Sequence, residues 1–439
     1  MNRTSRFNAA LLAPLAFGLF AAAPQRPPDG FPAAVQNTLA NGVVVARQYA
    51  PGVPLVGVAV MVPAGLELQP SDEAGVAALT AAVVLHTPVD RGQSVWAAAA
   101  ALGASVSYKL DPRDTRYYIE ARPADAVRLL GDLAAALEHP DADQIPSQRA
   151  ALGAAAAPLG NDPALTTFAM LRQVRYRGSG YALPEAGSAL SLARVGAAEV
   201  RSFARLTRRG TGTVIALTGA ASEAVGDAAG QAFSPVPAGS PPQWAAAQTP
   251  TRPQQVIVHG DVAAPWLALG YGAPASDAAD YPAMLVVQAL LSAGAARDAL
   301  TFGSDKRLPD EYAGAFYQDD ADPAMFVLFV NGQSGTVDQA LRQIEGGIAR
   351  LRTRKLDGGL IDRARRVALG RYYTSTATLE EGSGLLSRCA GSAAGVRCEN
   401  QLAERISEVT PSDVRAVAQR YFINGTTALL LPVGSSPSQ

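Results

Sequence analysis

A proline-rich break divides this chain into two halves that end in the same way, and that repetition limits the possible folds more than any other feature. Pro235, Pro237, Pro241, Pro242, Pro250 and Pro253 fall within one short stretch. Proline fixes φ and lacks an amide hydrogen, so residues 234–253 suit neither a helix interior nor a central strand and read as a linker. Before the break, a helical pattern over Val195–Thr207 leads into the strand Thr213–Gly219. At the far end, Ile406–Pro411, a helical pattern over Asp413–Tyr421 and the strand Thr427–Pro432 repeat that order. An internal duplication with units of about 200 residues fits the length of 439. The expected organisation is a leader over 1–30, a first domain over 31–233, the linker over 234–253 and a second domain over 254–434.

Short β-branched runs alternate with alanine-rich helical stretches in both halves. Strands are expected at Val43–Val45, Val53–Val62, Tyr117–Glu120, Val214–Leu217, Val256–Val258, Leu267–Tyr271, Phe326–Val330 and Ala428–Leu431. Helices are expected at Val76–Leu85, Val95–Leu102, Ala124–Leu137, Tyr281–Leu291, Val337–Arg352 and Gly359–Tyr373. That order suits an α+β fold in which each half is an antiparallel-rich sheet covered by helices, with a sheet edge left open for docking.

Composition excludes several classes. A formal charge of −1 gives no polyanion signal, and 48% hydrophobic residues are enough for two cores. The arginine clusters at Arg350–Lys355 and Arg363–Arg371 read as solvated faces of amphipathic helices, and no nucleic-acid partner is expected. Arg3 and Arg6 precede the apolar run Ala9–Phe20, then Ala21–Ala23 and a polar, proline-rich segment to Gly30, the layout of a secretory signal peptide. No membrane span is expected once it is removed, and the location is periplasmic or secreted. In such a compartment Cys389 and Cys398, the chain's two cysteines, are expected to form a disulfide that closes a short loop. His86, His139 and His259 have no His, Cys or Glu at metal-binding spacing. The segments around Ser304 and Ser383 lack the nucleophile-elbow pattern of a serine hydrolase.

Leu39–Val45, the run Val53–Val62 with Ala64-Gly65, and Glu73-Ala-Gly-Val-Ala77 before a helix together resemble the start of insulinase/pitrilysin-type zinc metallopeptidases. The resemblance continues through Ala101–Tyr108, whose following strand at Asp114–Tyr118 would edge the peptide cleft, and Tyr181–Gly187. It covers residues 31 to 434 and implies two duplicated insulinase-like domains in a clam-shell arrangement. In that family two histidines on one helix and a glutamate on a later one hold zinc, and a second carboxylate takes the proton from zinc-bound water. Here the histidine positions fall on Ala78 and Ala82, the base on Ala81, and the third ligand near Ala155. No carboxylate lies between Asp143 and Asp162 to replace it.

The resemblance also assigns Arg307 and Tyr312 to a pair that holds the substrate backbone, although Pro309-Asp310-Glu311 departs from the family pattern there. It implies a pseudoenzyme: a non-catalytic homologue, inactive alone as a metalloendopeptidase and without a cofactor of its own. Zinc is expected only in a homologous peptidase subunit that pairs with this chain in a heterodimer and shares a peptide chamber with it. A peptide-binding or scaffolding protein of the cell envelope, with no active partner, is the alternative expectation.

Overall fold

The computed structural model describes residues 33–89, 92–159, 161–240, 242–244, 250–292, 313–319, 324–331 and 337–435. Among them are two mixed sheets. The first contains β1 (Val35–Thr38), β2 (Val44–Tyr49), β3 (Val56–Val62), β4 (Ser105–Leu110), β5 (Thr115–Ala121) and β6 (Val214–Gly219), ordered β1-β2-β6-β3-β5-β4. The second contains β7 (Gln254–Gly260), β8 (Trp266–Gly272), β9 (Ala313–Asp319), β10 (Met325–Asn331) and β11 (Thr426–Pro432), ordered β7-β11-β8-β10-β9. The pairs β2/β6 and β7/β11 are parallel and all other neighbours are antiparallel. Without β1 the two wirings are identical. The duplication therefore extends from the closing segments to the whole topology.

Alternate side chains of a strand point to opposite faces. β3 sends Val56, Val58, Val60 and Val62 to one core and Ala59 to another, and β6 likewise divides Ile215 and Leu217 from Val214 and Ala216. Burial on both faces explains why these strands read as continuous apolar runs. One face of the first sheet carries the helices Pro123–Glu138 and Glu223–Phe233. The other face is covered by Leu379–Gly391, a helix from the second half. The reverse also holds: Pro163–Arg175, from the first half, packs on β8, β11 and β7 of the second sheet.

Glycines permit both crossings. A Cβ on Gly57 of β3 would lie 2.5 Å from Leu379 Cβ and 2.6 Å from its carbonyl oxygen. On Gly270 of β8 it would lie 2.8 Å from Leu171. Arg175, at the end of its crossing helix, is 5% exposed and donates to Gly270 O (3.3 Å) and Thr426 Oγ1 (3.5 Å).

The described part of 234–253 contains no helix or strand. Its main chain is nonetheless tied to the first sheet's end, with Gly210 N donating to Pro237 O (2.7 Å) and Thr211 N to Ala238 O (2.9 Å). Several elements differ from the sequence expectation. β1, β4 and β9 are additional strands, and β3 starts at Val56, three residues later than expected. Asp114–Tyr118, expected at an edge, falls in or beside β5, which lies one strand in, between β3 and β4, and the sheet's edge strand on that side is β4. The leader segment lies outside the described residues.

Candidate functional site

The helix Val76–His86 begins after Gly75, whose φ of 94° favours glycine. Its first turn is capped from the side: the buried Gln69 accepts from Gly75 N (2.9 Å) and Ala77 N (3.4 Å) through Oε1. Every residue from Val76 to Leu85 is buried. A helix apolar all round is a core helix, here packed among the helices Val95–Leu102, Pro123–Glu138, Ile145–Leu159 and Ala197–Thr207.

Ala78, Ala81 and Ala82 are 2%, 1% and 5% exposed, whereas Ala155 sits on an exposed side of Ile145–Leu159. The two helices that a zinc site would need are thus in contact. Their side chains at these positions are methyl groups without a lone pair, so the residues do not fit a zinc ion. His86, at the helix end, is already engaged: Nδ1 is 2.9 Å from Ala82 O and its ring stacks on Trp96 with centroids 5.2 Å apart. Among the described residues no three His, Cys, Asp or Glu side chains converge as a metal site.

Two charged features of this region were not anticipated. Arg116 of β5 is fully buried between Asp111 and Asp114 at the β4–β5 turn, with Nε 3.0 Å from Asp114 Oδ1. Glu185 retains solvent-exposed surface in a crowded setting beside Tyr108, Arg172 and Lys109. Crowding raises its carboxyl above the usual range, while the two cations oppose the shift.

The duplicated wiring points to a second place. Tyr281–Ser292 follows β8 as Val76–His86 follows β3, and Gly358–Ser375 follows a long helix after β10 as Ile145–Leu159 follows one after β5. A cleft of 580 Å³ opens between Tyr281–Ser292, Gly358–Ser375, β9, the crossing helix Leu379–Gly391 and the outer strands of the first sheet. Tyr118, Tyr281, Tyr317 and Tyr372 line it, with Lys109, Arg371 and Arg388 among its charged groups. Behind Tyr372 lies Glu399, 6% exposed, whose Oε1 accepts from the Tyr372 hydroxyl at 3.0 Å and whose Oε2 has no hydrogen-bond partner among the described residues. Burial pushes this carboxyl up to about 7, against the Tyr372 hydrogen bond and the Arg388 charge.

Cys389 and Cys398 are joined as a disulfide, with Cα atoms 5.4 Å apart. It ties the crossing helix to Arg397–Glu408, directly beside this cleft. Arg307 and Tyr312 lie outside the described residues.

Residues 194–367 match the model of the peptidase M16 inactive domain. The fold is similar to that of a protease from Helicobacter pylori, with a TM-score of 0.79 and 16% identity over 92% of this chain and 100% of the other. A peptidase M16 inactive domain from Pseudomonas fluorescens gives 0.77 and 17% identity over 92% and 99%. A chain of complex III2 from Candida albicans, solved with Inz-5 bound, gives 0.71 and 17% over 90% and 95%. No curated protein matches the chain in sequence.

Proposed function

We propose that this chain, a degenerate insulinase-type protein whose residues 194–367 belong to the peptidase M16 inactive-domain family, is a non-catalytic subunit. It pairs with a zinc-bearing homologue and helps to enclose that partner's peptide chamber. The observation that carries the proposal is the combination of a fully packed motif helix with alanine at each ligand and base position. A fold maintained around an emptied site is of use where another chain supplies the chemistry. The similarity to a chain of complex III2, a multi-subunit assembly, supports an assembling role. Zinc belongs to the partner on this reading, and Arg307 and Tyr312 hold the peptide backbone.

Residues 1–30 direct export to the periplasm, where a disulfide between Cys389 and Cys398 persists. The test is a pull-down of the tagged chain from its own cell envelope, with zinc content and peptide cleavage measured before and after the components are separated. A co-eluting chain with His-x-x-Glu-His, and cleavage that needs both chains, is the expected result. Recovery of this chain alone, free of zinc and inactive, would instead leave a peptide-binding or scaffolding protein.

A further inference from the structure

We propose that β7, the outer strand of the second sheet, pairs antiparallel with β7 of a second copy of this chain and so forms a two-fold dimer. The inference goes beyond the subunit reading and does not depend on a zinc-bearing partner. It starts from the duplication. β2 and β7 hold the same place, each parallel to the closing strand of its half, β6 or β11. In the first sheet β1 covers the outer side of β2 with antiparallel pairs from Val35↔Arg47 to Thr38↔Val44. In the second sheet no described strand takes that position, so the main-chain donors and acceptors on the outer side of β7 face no strand among the described residues.

The described sheets have four edge strands, and β7 differs from the other three. An edge is normally protected by shortness, a charge or an irregularity. β1 is four residues long. β4 carries Lys109, whose side chain is 52% exposed. β9 shifts register between Tyr317 and Asp319 and ends on that aspartate. β7 reads Gln-Gln-Val-Ile-Val-His-Gly, seven residues without proline, acid, lysine or arginine, in unbroken register with β11. On it Ile257 and Val258 are each 39% exposed.

The sequence of β7 also suits its own copy. An isologous interface sets the strand against itself about its midpoint, Ile257. Val256 then faces Val258 of the copy and Gln255 faces His259, an apolar centre with polar flanks and no like charges opposed. Ile257 stands beside Leu429 of β11, on the face of the second core, and its copy extends that apolar layer across the axis. Arg252 and Asp261, both exposed, flank the strand. Antiparallel pairing brings each copy's arginine end to the other's aspartate end, whereas parallel pairing would set like charges side by side.

Sedimentation velocity of the purified chain over about 1–300 µM should show a reversible dimer with Kd on the order of tens of micromolar, because one strand pair buries less than a standard interface. Ile257→Lys, at an exposed position, sets two ammonium groups across the axis and should weaken the dimer about tenfold or more. Ile257→Cys should cross-link copies on mild oxidation, since directly opposed residues have Cα atoms about 4.5–5.5 Å apart, within disulfide range. Gln255→Cys should not, because it stands four residues along the strand from its counterpart, about 14 Å away. Cys389 and Cys398, 0% and 3% exposed, stay paired with each other. A monomer throughout the range leaves the edge to another chain or to none and overturns the dimer. So does a dimer that Ile257→Lys does not weaken, or oxidation that links neither cysteine variant or links Gln255→Cys as readily as Ile257→Cys.

Discussion

Three methyl groups decide what the motif helix can do. Putting back Ala78→His, Ala81→Glu and Ala82→His together is expected to give no zinc-dependent cleavage, because Ala155 still leaves the metal one ligand short. The structure adds a cost: at 2%, 1% and 5% exposure, each larger side chain overpacks the core by about 1–3 kcal/mol. A thermal melt of the triple variant should therefore show marked destabilisation, and appreciable cleavage by it would refute the placement of the third ligand. A gap-free register assigns these positions in the sequence. Nine of the ten residues Val76–Leu85 are apolar, which suits the burial of the whole stretch, Thr80 included. What could not be read was the setting of Glu399, whose partner Tyr372 lies 27 residues away. Its carboxyl is raised from 4.5 to about 7, chiefly by burial, so the folded state holds a proton that the unfolded state releases. The resulting stability is complete below about pH 4.5 and disappears as pH rises through about 7. Glu399→Gln keeps an acceptor for the Tyr372 hydroxyl and carries no charge. It should flatten the decline between those pH values and, near pH 8, exceed the parent by on the order of 2 kcal/mol in urea titrations. An unchanged pH dependence would reject the assignment.

At the scale of elements, what the sequence reveals depends on what each element packs against. Core strands such as β3 and β6 announce themselves with β-branched runs. β1, with all four residues Val35–Thr38 exposed, carries no such pattern and was not anticipated. The crossing helices are hidden for a different reason. Leu379–Gly391 buries Ser383, Gly384, Ser387, Cys389 and Ala390 beside Leu385 and Leu386, and Pro163–Arg175 buries Thr167, Leu171 and Arg175. Small and polar contact faces let a helix approach a sheet closely but leave little apolar periodicity to detect. Gly57→Ala tests that close approach. Alanine ordinarily stabilises a strand position by about 0.4–1 kcal/mol through the unfolded state. Here its Cβ would lie 2.6 Å from the Leu379 carbonyl oxygen, a main-chain atom held by the helix, so overpacking of about 1–3 kcal/mol should outweigh that gain. Chemical denaturation measures the sign, and a stabilised variant would mean that the helix start yields freely.

The exchange of helices makes the two halves depend on each other. The second sheet's Ala268, Met325, Val327 and Ala428 belong to the same apolar cluster as Leu171 and the first-half core, not to the cluster on their own sheet's other face. Residues 250–435 expressed alone would leave that face uncovered, because the helix that seals it, Pro163–Arg175, comes from the other half. Exposed apolar surface of that kind promotes association, and the fragment gives up the burial that offsets its chain entropy. The fragment should bind a hydrophobic dye and self-associate, and a co-expressed fragment of residues 31–249 should restore a dye-silent complex. In calorimetry the intact chain should unfold in one transition, with both halves melting together. A monomeric fragment 250–435 with its own cooperative melt would show that each half is stable alone and that the crossed helices only dock. A linker pinned at Gly210 and Thr211 and a disulfide at the end of the second crossing helix both favour the coupled outcome, since each fixes a segment that passes between the halves.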